Sequence, residues 1–353
     1  MTQTIIGWDI GGAHLKAALV DSTGKALQVL QVACPLWRGL DVLEQAIYQV
    51  LTKFKPYSSA AHAITMSGEL ADIFPNRHIG VLQISQLMDA KLSGDKNYYA
   101  GQRGFIKFEQ VAENTLEIAS ANWIASATFI AQQQPQALLI DMGSTTTDFM
   151  IIANHQLMCR GFDDAKRMQF EELVYTGMLR TPLMAIATKM PFAGEWCTVA
   201  AEHFATMADV YRLTGDLADT QDMSDTADGK GKTLEDSARR LARMIGHDAE
   251  DAAIAAWVAL AHAFKQAQLD MLKQAALRQL SILDSNTHQI LLDSDSPIIG
   301  TGVGVEVIKM LAQQLNRPFI YAKDMIVASS SAEKDWANVC FPAYAVANLA
   351  LHL

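Results

Sequence analysis

The sequence predicts an α/β fold of two lobes, each built around a β-hairpin with a glycine at its tip. Three observations carry that expectation. The segments IIGWDIGGAHLKAALV (residues 5–20) and ALLIDMGSTTTDFMII (residues 137–152) share one pattern: apolar strand, Asp, any residue, Gly, short polar turn, apolar strand. A repeat of this kind implies equivalent structural halves. Stretches of helical composition alternate with the strands, and 353 residues exceed what one hydrophobic core usually organises.

The opening reads as strands over Thr4 to Ile10, His14 to Val20 and Ala26 to Ala33. Gly11-Gly12 suits the first tight link, because glycine tolerates positive φ. A helix is expected over Leu40 to Phe54, then a buried strand at Ala61 to Met66 ending in Ser67-Gly68-Glu69. Ala119 to Gln132 has helical composition and leads through Pro135 into the strand Ala137 to Ile140, with a partner at Thr147 to Ala153. From Thr181 to Leu283 the chain turns helical and Ala-rich, interrupted by a polar loop over Thr220 to Lys232. Strands are expected again at Gln289 to Leu292, Pro297 to Gly300 and Pro318 to Ala322, with a helix over Gly304 to Leu315 and a closing helix from Ala343. The expected division is a first lobe over 1–118, a second over 119–340 with a helical insertion at about 181–285, and a closing helix over 341–353.

Composition narrows the function. Half the residues are hydrophobic, 19% are charged, and the formal net charge is -10, with no run of Lys and Arg to offset it. Nucleic acid is therefore not an expected partner. Cys34, Cys159, Cys197 and Cys340 lie far apart, without a CxxC pair or a signal peptide ahead of Ile5, so a reducing cytoplasm is expected. The apolar stretch Ala252 to Ala263 contains His262 and falls short of the ~20 residues a membrane span needs, so no membrane anchor is expected either.

The hairpins carry the chemistry. A phosphate needs backbone N–H groups at close range, and Gly11, Gly12, Gly143, Ser144, Thr145 and Thr146 are placed to supply them, with hydroxyls from the second turn. Asp9 and Asp141, one per hairpin, suit magnesium, which prefers few carboxylates and many waters. Lys16 adds charge and Asp148 is a further acidic candidate. A third element, PIIGTGVG (Pro297 to Gly304), runs from a strand through Gly300, Thr301, Gly302 and Gly304 into an apolar helix, a junction that lets a nucleoside-type ligand lie against backbone. Val305 stands where the last glycine of a dinucleotide fingerprint belongs, which weakens that alternative.

Other motifs read more plainly. GKGKT (Gly229 to Thr233) imitates the end of a Walker loop, but Thr226 replaces its first glycine and no apolar strand precedes it. Glu202, His203 and Asp209 do not make a convincing zinc set. Cys197 lacks a His partner, and Trp123 on an Ala-rich helix reads as packing.

Two Asp-Gly hairpins followed late by a strand and a glycine turn resemble the superfamily of sugar kinases, Hsp70 and actin, the ASKHA fold with its ribonuclease H-like halves. Within it, Gly161-Phe162-Asp163 and EELVYTGMLRTP (Glu171 to Pro182) resemble the hydantoinase and oxoprolinase-like branch. ANW (Ala121 to Trp123), FATMADVYRLTG (Phe204 to Gly215), DTADGK (Asp225 to Lys230) and SARRLARMIG (Ser237 to Gly246) are similar to a narrower group. That group comprises proteins of tetrahydromethanopterin-linked C1 transfer in methylotrophs and the methanofuran-biosynthetic synthase of methanogens.

The resemblance implies a magnesium-dependent transferase whose partners are a small-molecule diphosphate and a phenolic acceptor. An aminomethylfuran-methyl diphosphate would condense with the phenol of γ-glutamyltyramine and release diphosphate. It also implies acceptor recognition by Glu172, Tyr175 and Arg180, and catalytic roles for Asp9, Lys16, Asp148 and Asp209. The proton acceptor stays open among Asp148, Asp209 and Glu69. An ATP-dependent kinase or oxoprolinase-like ATPase, with ATP as cofactor, is the alternative, and a non-catalytic nucleotide-binding regulator is a third. A homodimer is compatible with all three.

Overall fold

In the computed structural model, which describes residues 4–353, the first sheet has the strand order β3-β2-β1-β4-β5-β6. Its strands are β1 (Ile5–Ile10), β2 (His14–Val20), β3 (Ala26–Ala33), β4 (Ala61–Met66), β5 (Lys96–Tyr99) and β6 (Phe105–Ile106). The hairpin strands pair antiparallel, whereas β1, β4 and β5 run parallel. β1 is buried along its whole length, which explains why it is apolar at nearly every position instead of alternating. The helix Leu40–Lys53 makes the crossover into β4 and Arg77–Lys91 the crossover into β5. The second of these is missing from the sequence reading, although Asn76 caps it by accepting from the Ile79 N–H at 3.0 Å.

The other face of β1 receives the helix Phe341–Leu349. A methyl group on Gly7 would sit 2.0 Å from the Ala343 carbonyl oxygen, so only glycine lets the helix backbone lie on the strand. The core beneath holds a buried polar pair. Trp8 Nε1 donates to His62 Nδ1 at 3.1 Å, and His62 Nε2 in turn faces the Ser93 carbonyl at 3.0 Å. Burial lowers the His62 imidazole from its ordinary value to about 4.

The second sheet has the order β10-β8-β7-β13-β14, with β9 paired to β8. It consists of β7 (Gln136–Met142), β8 (Thr147–Ala153), β9 (Gln156–Met158), β10 (Leu173–Val174), β13 (Ile298–Thr301) and β14 (Phe319–Tyr321). A separate hairpin, β11 (Lys189–Phe192) and β12 (Glu195–Thr198), turns at Ala193 and Gly194, both with positive φ. It lies inside the stretch expected to be helical. The remainder of that stretch is helical, with Met207–Leu213, Leu234–Arg243 and the long helix Ile254–Leu280.

Two further departures have local causes. Gln289 to Leu292 is not a strand: only Ile290 forms a bridge, to Leu283, because the Asp284 carboxylate takes the Asn286 and Thr287 N–H groups and curls the segment into a turn. The closing helix begins at Phe341, not Ala343, and the helix Ser331–Val339 precedes it.

The chain divides into two compact units. One comprises the residues up to Leu139 with Met150–Cys159 and Ile320–Leu353, and the other Ile140–Phe149 with Arg160–Phe319. Residues 119–139 and the closing helix thus group with the first unit, where the helix Asn122–Ala131 and Phe341–Leu349 pack together. Among the described residues no helix is long and apolar enough to cross a membrane.

Candidate phosphate site

In the first unit, hairpin register sets Asp9 opposite Lys16. Asp9 is buried at 3% exposure; Lys16 Nζ lies 3.8 Å from its Oδ2 and Asn122 Nδ2 donates to its Oδ1 at 3.4 Å. Ser120, two residues earlier, donates from Oγ to Oε1 of the buried Glu69 at 2.7 Å. The ANW segment therefore earns its place through Asn122, while Trp123 is core. The hairpin tip closes with the Gly11 N–H on the His14 carbonyl at 3.0 Å. Ser67 and Gly68 back it, both N–H groups donating to the Ile10 carbonyl at 2.9 Å. Nothing lies within 4 Å of where a methyl group on Gly12 would stand, so the tip offers open backbone.

The second unit brings together far more of the expected residues. Its hairpin closes with the Gly143 N–H on the Thr146 carbonyl at 2.9 Å. The run Thr176 to Arg180 is laid along that turn: Met178 N–H donates to the Gly143 carbonyl at 2.9 Å, and the Leu179 and Arg180 N–H groups donate to the Ser144 carbonyl at 3.1 and 2.9 Å. Gly177 is indispensable to this, since a methyl group there would be 2.6 Å from the Thr145 nitrogen. Gln268, from the long helix, donates to Thr176 Oγ1 at 2.7 Å and to the Gly177 carbonyl at 2.9 Å, and is itself held by the Tyr211 hydroxyl. Gly177 and Gln268 escaped the sequence reading; a glycine in EELVYTGMLRTP with no turn to make was the available signal.

The late glycine turn packs on the same hairpin. Gly304 N–H donates to the Met142 carbonyl at 3.0 Å, and Gly302, with φ +86°, leaves 2.4 Å between a would-be methyl group and Asp141 Oδ1. Gly300 makes room for the Phe319 ring, and Thr301 is fully buried. Asp141, Gly143 to Thr146 and Gly300 to Gly304 thus form one cluster of closely packed backbone around the second hairpin turn.

The other candidates separate into distinct roles. Asp148, on β8 just beyond the turn, pairs with the buried Arg167 at 2.9 Å. Glu172 is spent on structure: its two carboxylate oxygens accept the Arg160 and Gly161 N–H groups at 2.8 and 3.0 Å. Tyr175 is 53% exposed, beside the hairpin strand, because its neighbour Val174 pairs with Thr147. Burial lowers the Arg180 guanidinium from its ordinary value, the mark of a cation partly stripped of water.

Asp209 behaves as an anchor. It closes a capping box at Met207–Leu213 and accepts from Arg240 at 2.7 and 2.9 Å, Arg212 at 3.2 Å and Ser237 at 3.0 Å, all buried. Arg240 reaches on to Asp228 and Arg212 to Asp222, which ties down the Asp-rich loop before Leu234–Arg243. A carboxylate so fully subscribed is poorly suited to accept a proton. The Walker-like GKGKT ends at Thr233, which caps that helix.

A fold of this architecture, with paired Asp-Gly hairpins and a late glycine turn, is the α/β fold of the sugar kinases, Hsp70 and actin. A nucleotide-free structure of acetone carboxylase, an enzyme of ATP-dependent acetone carboxylation, superposes with a TM-score of 0.55 over 98% of this chain and 70% of that one, at 10% identity. The hydantoinase/oxoprolinase family profile matches residues 61–332, and the chain belongs to that family. It is 28% identical over 337 residues to the (4-{4-[2-(γ-L-glutamylamino)ethyl]phenoxymethyl}furan-2-yl)methanamine synthase of Methanocaldococcus jannaschii, covering 94% of this chain and 96% of that protein. The enzyme of the same name from Methanococcus vannielii is 26% identical over 192 residues, 54% of this chain and 82% of its own length.

Proposed function

We propose that this chain is a transferase of methanofuran-type cofactor biosynthesis, which joins an aminomethylfuran-methyl diphosphate to the phenol oxygen of γ-glutamyltyramine or a related acceptor. The observation that carries the reading is the turn at Asp141 to Thr146, lined with backbone and backed by the Thr176 to Arg180 run, in a chain aligned almost end to end with a synthase whose named product is an aryl furylmethyl ether.

In this reaction the methylene–oxygen bond to diphosphate breaks, its electron pair leaves with diphosphate, and the phenol oxygen bonds to the methylene carbon. The furan ring stabilises the cationic carbon. The turn from Ser144 to Thr146 receives the diphosphate through N–H and hydroxyl groups, and Arg180, whose N–H holds the Ser144 carbonyl and whose guanidinium is partly desolvated, adds positive charge. Asp141, beside the turn, is the proposed magnesium carboxylate of this unit; when bound, magnesium supplies charge neutralisation for the leaving group. Tyr175, which is exposed, is the proposed contact for the acceptor ring.

The junction in which β13 runs through Gly302 and Gly304 into the helix Val305–Gln314 motivates a second reading, an ATP-dependent kinase or ATPase, because a helix N-terminus of this kind suits a nucleotide. Thermal denaturation with magnesium plus diphosphate, ADP or ATP separates the two. A ligand present at a hundred times its Kd stabilises the native state by about 2.7 kcal/mol. Stabilisation by diphosphate and not ATP is the expected outcome, and the reverse would replace the transferase with an ATPase. Mass spectrometry of a reaction holding both substrates should show the ether and free diphosphate in equal amounts.

A further inference from the structure

We infer that Arg167 is a positioning residue that sets the Asp148 carboxylate to receive the acceptor's phenolic proton; this rests on the transferase reading above. Arg167 is 2% exposed, and its guanidinium meets Asp148 Oδ1 at 2.9 Å while Nη2 donates to the Glu172 carbonyl at 3.0 Å. That same carbonyl accepts the N–H of Phe149, the residue after Asp148, at 2.8 Å. The side chain is therefore fastened to the strand that carries its partner.

A set of otherwise unexplained residues exists to hold it there. The Glu172 carboxylate gathers the Arg160 and Gly161 N–H groups, and Asp163 caps the short helix Asp164–Phe170 by accepting from Lys166 N–H at 2.9 Å. A methyl group on Gly161 would stand 2.6 Å from the Arg167 nitrogen, so the loop lies against the helix only because this residue is glycine. Besides tying the loop to Arg160 and, through Glu171, to Arg278 of the long helix, these residues fix the Arg167 guanidinium against Asp148, on the strand that follows the Gly143 to Thr146 turn.

An ion-paired carboxylate is a weak base, and for this reaction a weak base is sufficient. As the bond to diphosphate lengthens, the phenol oxygen bonds to the increasingly cationic carbon and becomes strongly acidic, and its proton passes to the Asp148 carboxylate within that same transition state. What the site needs is a carboxylate in one orientation, which a buried guanidinium provides.

The experiment is a double-mutant cycle of Arg167→Met and Asp148→Asn, with Arg167→Lys as the conservative variant. General-base contacts are worth about a hundredfold or more, so each single substitution should lower kcat by roughly 10²-fold with KM for both substrates changed less than about threefold. If Arg167 acts through Asp148, Arg167→Met in the Asp148→Asn background costs less than about twofold more, and Arg167→Lys recovers part of the rate. Multiplicative losses, or full kcat in Arg167→Met, overturn the inference. Should Arg167→Met fail to fold, the Lys variant alone carries the cycle. Should the wild-type protein make no ether at all, the transferase reading fails separately, and the cycle is read in the calorimetric affinity for magnesium diphosphate. Coupled effects there retain Arg167 as the residue that positions Asp148, and independent ones remove it.

Discussion

The two hairpins share a sequence pattern and differ in what stands behind them. At the first, Asp9 is buried and answered within its own unit by Lys16 and Asn122, and the tip is backed by the neighbouring strand end at Ser67-Gly68. At the second, the backing comes from Thr176 to Arg180 on one side and Gly302 to Gly304 on the other. The first tip is held by its own sheet and by the turn at Cys34 to Leu36, whose N–H groups donate to the Ala13 and Gly12 carbonyls, whereas the second is backed by two segments far away in the chain. Repetition in sequence thus marks two equivalent turns, and the segments packed behind them differ.

The contrast breaks most sharply at its anchor. Asp209→Ala leaves Arg240 and Arg212 buried without their shared carboxylate and should cost about 3–5 kcal/mol in chemical denaturation. It should also weaken diphosphate binding, because Met207 and Ala208 N–H groups hold the Thr181 and Leu179 carbonyls of the run behind the second hairpin turn. Next in size, Gly302→Ala puts a methyl group 2.4 Å from Asp141 Oδ1 at positive φ, for an expected loss of roughly 3 kcal/mol. Gly12→Ala, whose methyl group meets open space, should change stability by less than about 0.5 kcal/mol. Equal effects of the two glycine substitutions would erase the distinction between the hairpins.

A pH titration sharpens the same comparison from the side of the first unit. The His62 imidazole is lowered by burial, so the unfolded chain takes up a proton below about 6.5 and the folded chain only below about 4. Stability is therefore full above the upper value and falls as the pH drops between the two, by at most about 3 kcal/mol. The dependence should vanish in His62→Gln, whose amide can serve both Trp8 and the Ser93 carbonyl.

The fold class was legible because strand periodicity and the Asp-Gly repeat are local signals. Hairpin strands such as Ala26–Ala33 and Thr147–Ala153 have the bounds their apolar patterns imply. Elements with weak patterns were lost. Arg77–Lys91 carries Ser85 and Gly80 on its buried face, and β11 and β12 are short strands within an Ala-rich stretch. At the candidate site, the residues at the turn tips could be named from composition, since glycine and hydroxyl side chains announce themselves. Gly177, Gln268 and Arg167 could not, because their value lies in contacts across up to 92 positions of chain. Spacing does not encode such separations.

The seating of Phe341–Leu349 on β1 has a consequence for the order of assembly. The Gly7 face is filled by Ala343 and Ala347, and the Tyr344 hydroxyl donates to the Gly24 carbonyl, 320 positions away. The buried strand β1 therefore cannot be covered on this face until residues 341–349, more than 300 positions further on, have been made. The second unit, whose long segment Arg160–Phe319 is continuous, faces no such wait. During synthesis the Gly7 face of β1 therefore stays uncovered until residues 341–349 have emerged, an exposed apolar surface of the kind chaperones shield.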